Sequence, residues 1–147
     1  MRITPLAVWA HKLPKDQLEQ AVKLQTNFTH SQPLTIAACY LYCLAISILI
    51  REGNPEKAFK AAHEEANVLG KRPGMKEVSL WFDIIIKGKL PNPASPEPMI
   101  PKDAPLEVDG DIVKYCGIGS AKVAFIWAFH YLHKQTPYRD AIRDMLL

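Results

Sequence analysis

The sequence predicts an all-α fold, and three observations carry that prediction. Helix starts and glycine stops alternate along the chain, as in Asn54-Pro55 followed by Gly70. From Leu34 to Ile50 there is no charged residue, and apolar side chains fall on every face. A helix reads that way when other helices surround it. The one strand-like segment, Val78 to Ile86, finds no partner strand elsewhere in the chain and is read as a buried helix.

The chain has 147 residues, which suits one domain with a real core. At 48% hydrophobic it is not a disordered composition. A net charge of +3, with no basic cluster interleaved with aromatics, argues against nucleic acid. Cys39, Cys43 and Cys116 show no metal-type spacing, and Cys39 and Cys43 lie one helical turn apart. Buried free thiols in a reducing compartment are expected, and the amino-terminal stretch lacks the marks of a secretory signal. The expected location is therefore cytoplasmic.

The elements follow in order. Pro5 starts a short amphipathic helix in a segment that carries Ile3, Leu6, Ala7, Trp9 and Ala10, and Pro14 ends it. Lys15 to Phe28 forms a second, with Leu18, Ala21, Val22 and Leu24 on its apolar face and Asp16 and Glu19 near its start. The third is the long apolar helix. Ser31 is expected to cap it, Pro33 suits an early position, and Gly53 supplies a left-handed stop. Roughly 20 apolar residues are needed to span a bilayer. The uncharged run is shorter and contains Thr35, Tyr40, Tyr42 and Ser47, so no membrane crossing is expected.

The fourth helix runs from the Asn54 cap to Gly70, with Ala58, Phe59, Ala62 and Ala66 inward. Lys57, Lys60, Glu64 and Glu65 are expected to face water, and His63 to be a surface residue. The very short turn at Gly53 makes helices three and four antiparallel neighbours. Met75 to Ile86 is the fifth helix, ended by Gly88. Pro91 to Pro105 is too rich in proline for any regular element and reads as an extended loop. Ser120 caps the next helix, whose body carries Val123, Phe125, Ile126, Trp127, Phe129 and Tyr131. Thr136 and Pro137 open the last, with Tyr138, Ala141, Ile142, Met145 and Leu146 inward.

Few residues invite chemistry. His30 precedes the long helix, where free backbone amides favour an anion; an ordinary capping role is the plainer reading. Asp109-Gly110-Asp111 falls short of a calcium loop, which needs more oxygen ligands at set spacings. Gly117-Ile118-Gly119 allows close backbone approach to a ligand, but it has neither the third glycine nor the preceding strand of a dinucleotide fingerprint. His130 and His133 lack a third ligand beside them, so surface or core roles outweigh zinc.

The order of these motifs carries a resemblance. MRITPLAVW, NFTHSQPLTIAACYLYCLAISILI, GSAKVAFIWAFHYL and PYRDAIRDMLL together resemble the ADP-ribosylglycohydrolase family, including its dinitrogenase-reductase-activating branch. The resemblance spans nearly the whole chain. Its most specific parts are Met1-Arg2 before Pro5, Thr29-His30 opening the apolar helix, and the late aromatic helix before Tyr138-Arg139-Asp140-Ala141-Ile142.

The resemblance implies an orthogonal all-α bundle that hydrolyses the glycosidic bond between ADP-ribose and a protein side chain or related acceptor. It implies ADP-ribose or an ADP-ribosylated protein as partner and, in many members, two magnesium ions held by carboxylates. The family's two acidic motifs would lie before Met1 and after Leu147. The chain is therefore expected to be a middle portion, incomplete at both ends, with no metal site and no catalytic residue of its own, and inactive alone. A truncated gene model, a fragment or a decayed paralogue would each give this sequence. Transferred by resemblance are His30, toward the diphosphate of ADP-ribose, Arg2, beside the ribose, and Gly117, Gly119 and Ser120, toward the adenosine end. Gln32 stands where many relatives have His or Asn. The alternative is a non-catalytic helical module that pairs through exposed apolar surface near Trp9 and Leu146.

Overall fold

The computed structural model describes residues 3–91, 107–108, 111–112 and 121–146. The fold is all-α. Five helices come first: α1 (Thr4–Trp9), α2 (Lys15–Asn27), α3 (Pro33–Glu52), α4 (Pro55–Leu69) and α5 (Lys76–Lys87). Two strands of two residues each, β1 (Glu107–Val108) and β2 (Asp111–Ile112), pair antiparallel. Then come α6 (Ala121–His133) and α7 (Tyr138–Leu146). The proline-rich stretch beyond Pro91, Cys116, and the Gly117-Ile118-Gly119 turn with Ser120 lie outside the described residues.

Helix α3 is the hub. It packs against α1, α2, α4, α5 and α6, and buries Tyr40, Leu41, Cys43, Leu44 and Ile48 among others. Length and composition alone would let it cross a membrane, yet its buried residues face other helices. That covering is what the absence of charge from Leu34 to Ile50 foretold. Ser47 is the polar exception, and its hydroxyl donates to the Cys43 carbonyl 2.8 Å away, so nothing polar is left unpaired there.

The helix ends show which signals worked. Gly53 and Gly88 are left-handed, at φ 62° and 65°. At Gly88 the amide bonds to Ile85 O and the next amide, Lys89 N, to Ile84 O, which closes the last turn of α5. Asn54 caps α4 by accepting from Lys57 N at 3.0 Å, as expected. Gly70 is a correction. It is right-handed, at φ −61°, so its role is not a left-handed stop. A Cβ there would lie 3.0 Å from Ser79 Oγ and 3.2 Å from Ser79 Cβ. Glycine thus lets α4 and α5 approach closely. The α6–α7 turn uses Gln135 at φ 52°, with Gln135 N bonded to Leu132 O and Thr136 N to Tyr131 O. It is the same closure as at Gly88, made here by a residue with a side chain.

Beside α3, the core of α4, α5 and α6 is aromatic. Phe82 packs on Phe59, Phe125 and Phe129, with ring centroids 5.5, 5.8 and 5.3 Å away. His63, expected at the surface, stacks on Phe82 at 5.0 Å instead. It lies one helical turn after the buried Phe59, and so on the same side of α4. Three inward assignments are wrong. Leu24, Tyr138 and Met145 are exposed, because the sides of α2 and α7 that carry them are left uncovered by the described helices.

Candidate functional site

The site begins where α2 turns back toward α3. Thr29 N and His30 N both bond to Thr26 O, at 3.0 and 2.8 Å, which folds the chain over the end of α2. His30 is exposed, and its Nδ1 lies 2.9 Å from Thr29 Oγ1. Gln32, not Ser31, occupies the cap position of α3, and its side chain makes no capping bond. Pro33 causes the shift: the residue before a proline is driven to extended backbone, and Gln32 has ψ 128°. Among the described residues the first amides of α3 therefore have no side-chain cap, just beyond an exposed histidine. An uncapped start of a 20-residue helix attracts an anion.

A cleft of about 520 Å³ opens between α2, the first half of α3 and the α4–α5 turn. Glu19, Lys23 and Asn27 line one wall, each one turn apart along α2. Ile36, Ala37 and Tyr40 line the other, and Arg72 and Met75 close the end. His30 is not part of its lining, but Ser31 and Pro33 are, so the cleft begins directly after the histidine.

A polar network stands at the back of this cleft. The Arg72 guanidinium grips Glu19 at two points, Nη1 to Oε1 and Nη2 to Oε2. Lys15 Nζ lies 2.8 Å from Glu65 Oε2. Burial, followed by the nearby charges of Glu65 and Glu19, pushes the Tyr40 phenol well above its ordinary pKa, so it stays neutral beside Glu65. Glu65 was expected to face water, but only 12% of its side chain is exposed. Lys15, the first residue of α2, pairs with it, and the Tyr40 phenol lies beside it. A tyrosine inside an otherwise apolar helix signals such a partner, because a buried phenol needs one.

Of the residues transferred by resemblance, the structure places His30 at an exposed helix start. Arg2, Gly117, Gly119 and Ser120 lie outside the described residues. A divalent metal of the kind the resemblance implies does not fit the residues described: no group of three or more His, Cys, Asp or Glu side chains converges among them. Glu19, Glu52, Glu65 and Glu77 are each paired with a lysine or arginine.

His130 and His133 have separate roles. His133 packs against Phe59, with ring centroids 4.4 Å apart. His130 lies beside Trp127 and Tyr131, and its buried Nδ1 has no hydrogen-bond partner among the described residues. Burial first, then Lys134 and His133, hold its pKa below the ordinary histidine value, against a bond to the Ile85 backbone and the charge of Asp144.

Compared with family models, the chain matches the one described as ADP-ribosylglycohydrolase over residues 1–147. No curated protein and no solved structure matches it.

Proposed function

The chain belongs to the ADP-ribosylglycohydrolase family, and from that membership we propose that its ancestral reaction is hydrolysis of the bond joining ADP-ribose to a protein side chain. The observation that carries this reading to particular residues is His30, exposed beside the uncapped start of α3. That arrangement suits the diphosphate of ADP-ribose: the amides supply donors, the helix dipole supplies a positive end, and the imidazole adds a further donor.

We propose binding without turnover for these residues alone. Hydrolysis needs a carboxylate to activate water, or a metal held by several of them. The acids flanking the cleft, Glu19 and Glu65, are already neutralised by Arg72 and Lys15. No magnesium is assigned to the described residues. The free thiols Cys39 and Cys43 fit a cytoplasmic setting.

Calorimetric titration with ADP-ribose, with and without magnesium, tests the reading. The expected result is weak binding that ignores magnesium and disappears in His30→Ala, with no ADP-ribose released from an ADP-ribosylated protein. Magnesium-dependent binding or release would overturn the inactivity, and no binding in either condition would overturn the site. A second reading, a helical interaction module, is favoured by one observation: Trp9 is 70% exposed at the end of α1. Sedimentation that shows dimers in the native chain and monomers in Trp9→Ser would support it.

A further inference from the structure

We propose that the cleft between α2, α3 and the α4–α5 turn is a binding site of its own, for a small organic anion with a flat apolar body. Its volume of about 520 Å³ lies within the range of small-molecule pockets. The α3 wall supplies an apolar surface at Ile36 and Ala37, which Met75 continues. The donors are placed around that surface. Arg72 spends two of its N–H groups on Glu19, which fixes the guanidinium in place, and the rest of its fork is unspent among the described residues. Lys23 has no acidic partner among the described residues, so the free charge of the cleft is positive.

Those features select the ligand class. Glu19 is already satisfied, so a cation finds no open partner there. A fully apolar guest would strip water from Lys23 and Arg72 without replacing it. A carboxylate, sulfonate or phosphate on a ring system satisfies both: the ring covers Ile36 and Met75 while the anion meets Lys23 and Arg72. The cleft adjoins the proposed ADP-ribose site at Ser31 and Pro33, and the two are told apart by His30, which does not line the cleft.

Amide chemical-shift mapping of the full chain tests it, with 2-naphthoate as the probe and neutral 2-naphthamide beside it. The expected result is saturable shifts at Lys23, Ile36, Arg72 and Met75, with naphthamide at least about tenfold weaker. Lys23→Glu should weaken naphthoate by a similar factor. Ile36→Trp, which fills the cleft from a half-buried position, should abolish binding, with each variant's spectrum reporting that it is folded. His30→Ala should leave naphthoate binding unchanged while removing ADP-ribose binding, so the two proposals fail separately. Equal binding of naphthamide, shifts confined to other surfaces, or displacement of naphthoate by ADP-ribose would overturn the inference.

Discussion

Lys15 Nζ and Glu65 Oε2 are 2.8 Å apart, and this pair ties the first turn of α2 to the middle of α4 above the buried Tyr40. The two partners are unequal: 58% of the Lys15 side chain is exposed, but only 12% of Glu65. Removing the lysine takes one exposed cation from a carboxylate that keeps the Tyr40 phenol as a neighbour. Removing the carboxylate takes from the buried phenol its nearest polar neighbour. Glu65→Leu is therefore expected to destabilise by about 1–3 kcal/mol, and Lys15→Met by about 0–1 kcal/mol. Urea unfolding of both variants checks the order; equal losses would show that the ion pair, not the phenol, matters.

Gln135 is left-handed at φ 52°, where a side chain strains the backbone. Gln135→Gly removes that strain while keeping both bonds that close α6, and should stabilise by about 1 kcal/mol. Gly53→Ala at φ 62° should cost a similar amount, because nothing lies within 4 Å of the added Cβ and only the backbone opposes it. Thermal melts of the two variants should shift in opposite directions.

The pH dependence of stability should carry the mark of His130. Its pKa is lowered in the folded chain, chiefly by burial. The unfolded chain then binds a proton near the ordinary value of about 6.5 while the folded chain resists it. Stability is thus full above that value and falls as pH drops below it. His130→Asn should flatten the slope between about pH 6.5 and 5, a window set by the unfolded histidine. Denaturant midpoints across that range provide the check, and an unchanged slope would remove His130 as its source.

Cys43 is fully buried, and burial, aided by Cys39, pushes its thiol up to about 12. The nucleophile is the thiolate, so Cys43 should resist iodoacetamide in the folded chain at about pH 8. Cys39, only partly buried, should react first. Peptide mass spectrometry after timed alkylation separates the two; modification of Cys43 at the rate of Cys39 would show that α3 opens readily.

Much of the fold was legible because helix signals are local. Asn54 before Pro55 and the glycines at 53 and 88 act within one turn of themselves, so the residues alone reveal them. What stayed hidden depends on neighbours far along the chain. Glu65 reads as a solvent-facing acid until Lys15 of α2 reaches it from 50 positions away. His63 reads as polar surface until Phe82 of α5 arrives beneath its ring. Gly70 has the look of a helix stop, yet it serves the approach of Ser79. At the site, His30 was legible as the residue leading into α3, since Pro33 marks that start. The cleft was not, because its walls come from three separate elements.

The position of α3 has a kinetic consequence. Its largest contacts are with α2 and α4, the helices directly before and after it in the chain. Those pairings close short loops and need little chain entropy to be lost at once, whereas α6 must return from beyond residue 120. The α2–α3–α4 hairpins should therefore form the folding nucleus, with α6 docking after the rate-limiting step. Truncating Leu41 should slow refolding, while truncating Phe129 should mainly hasten unfolding, a contrast that stopped-flow chevrons on the two variants would display.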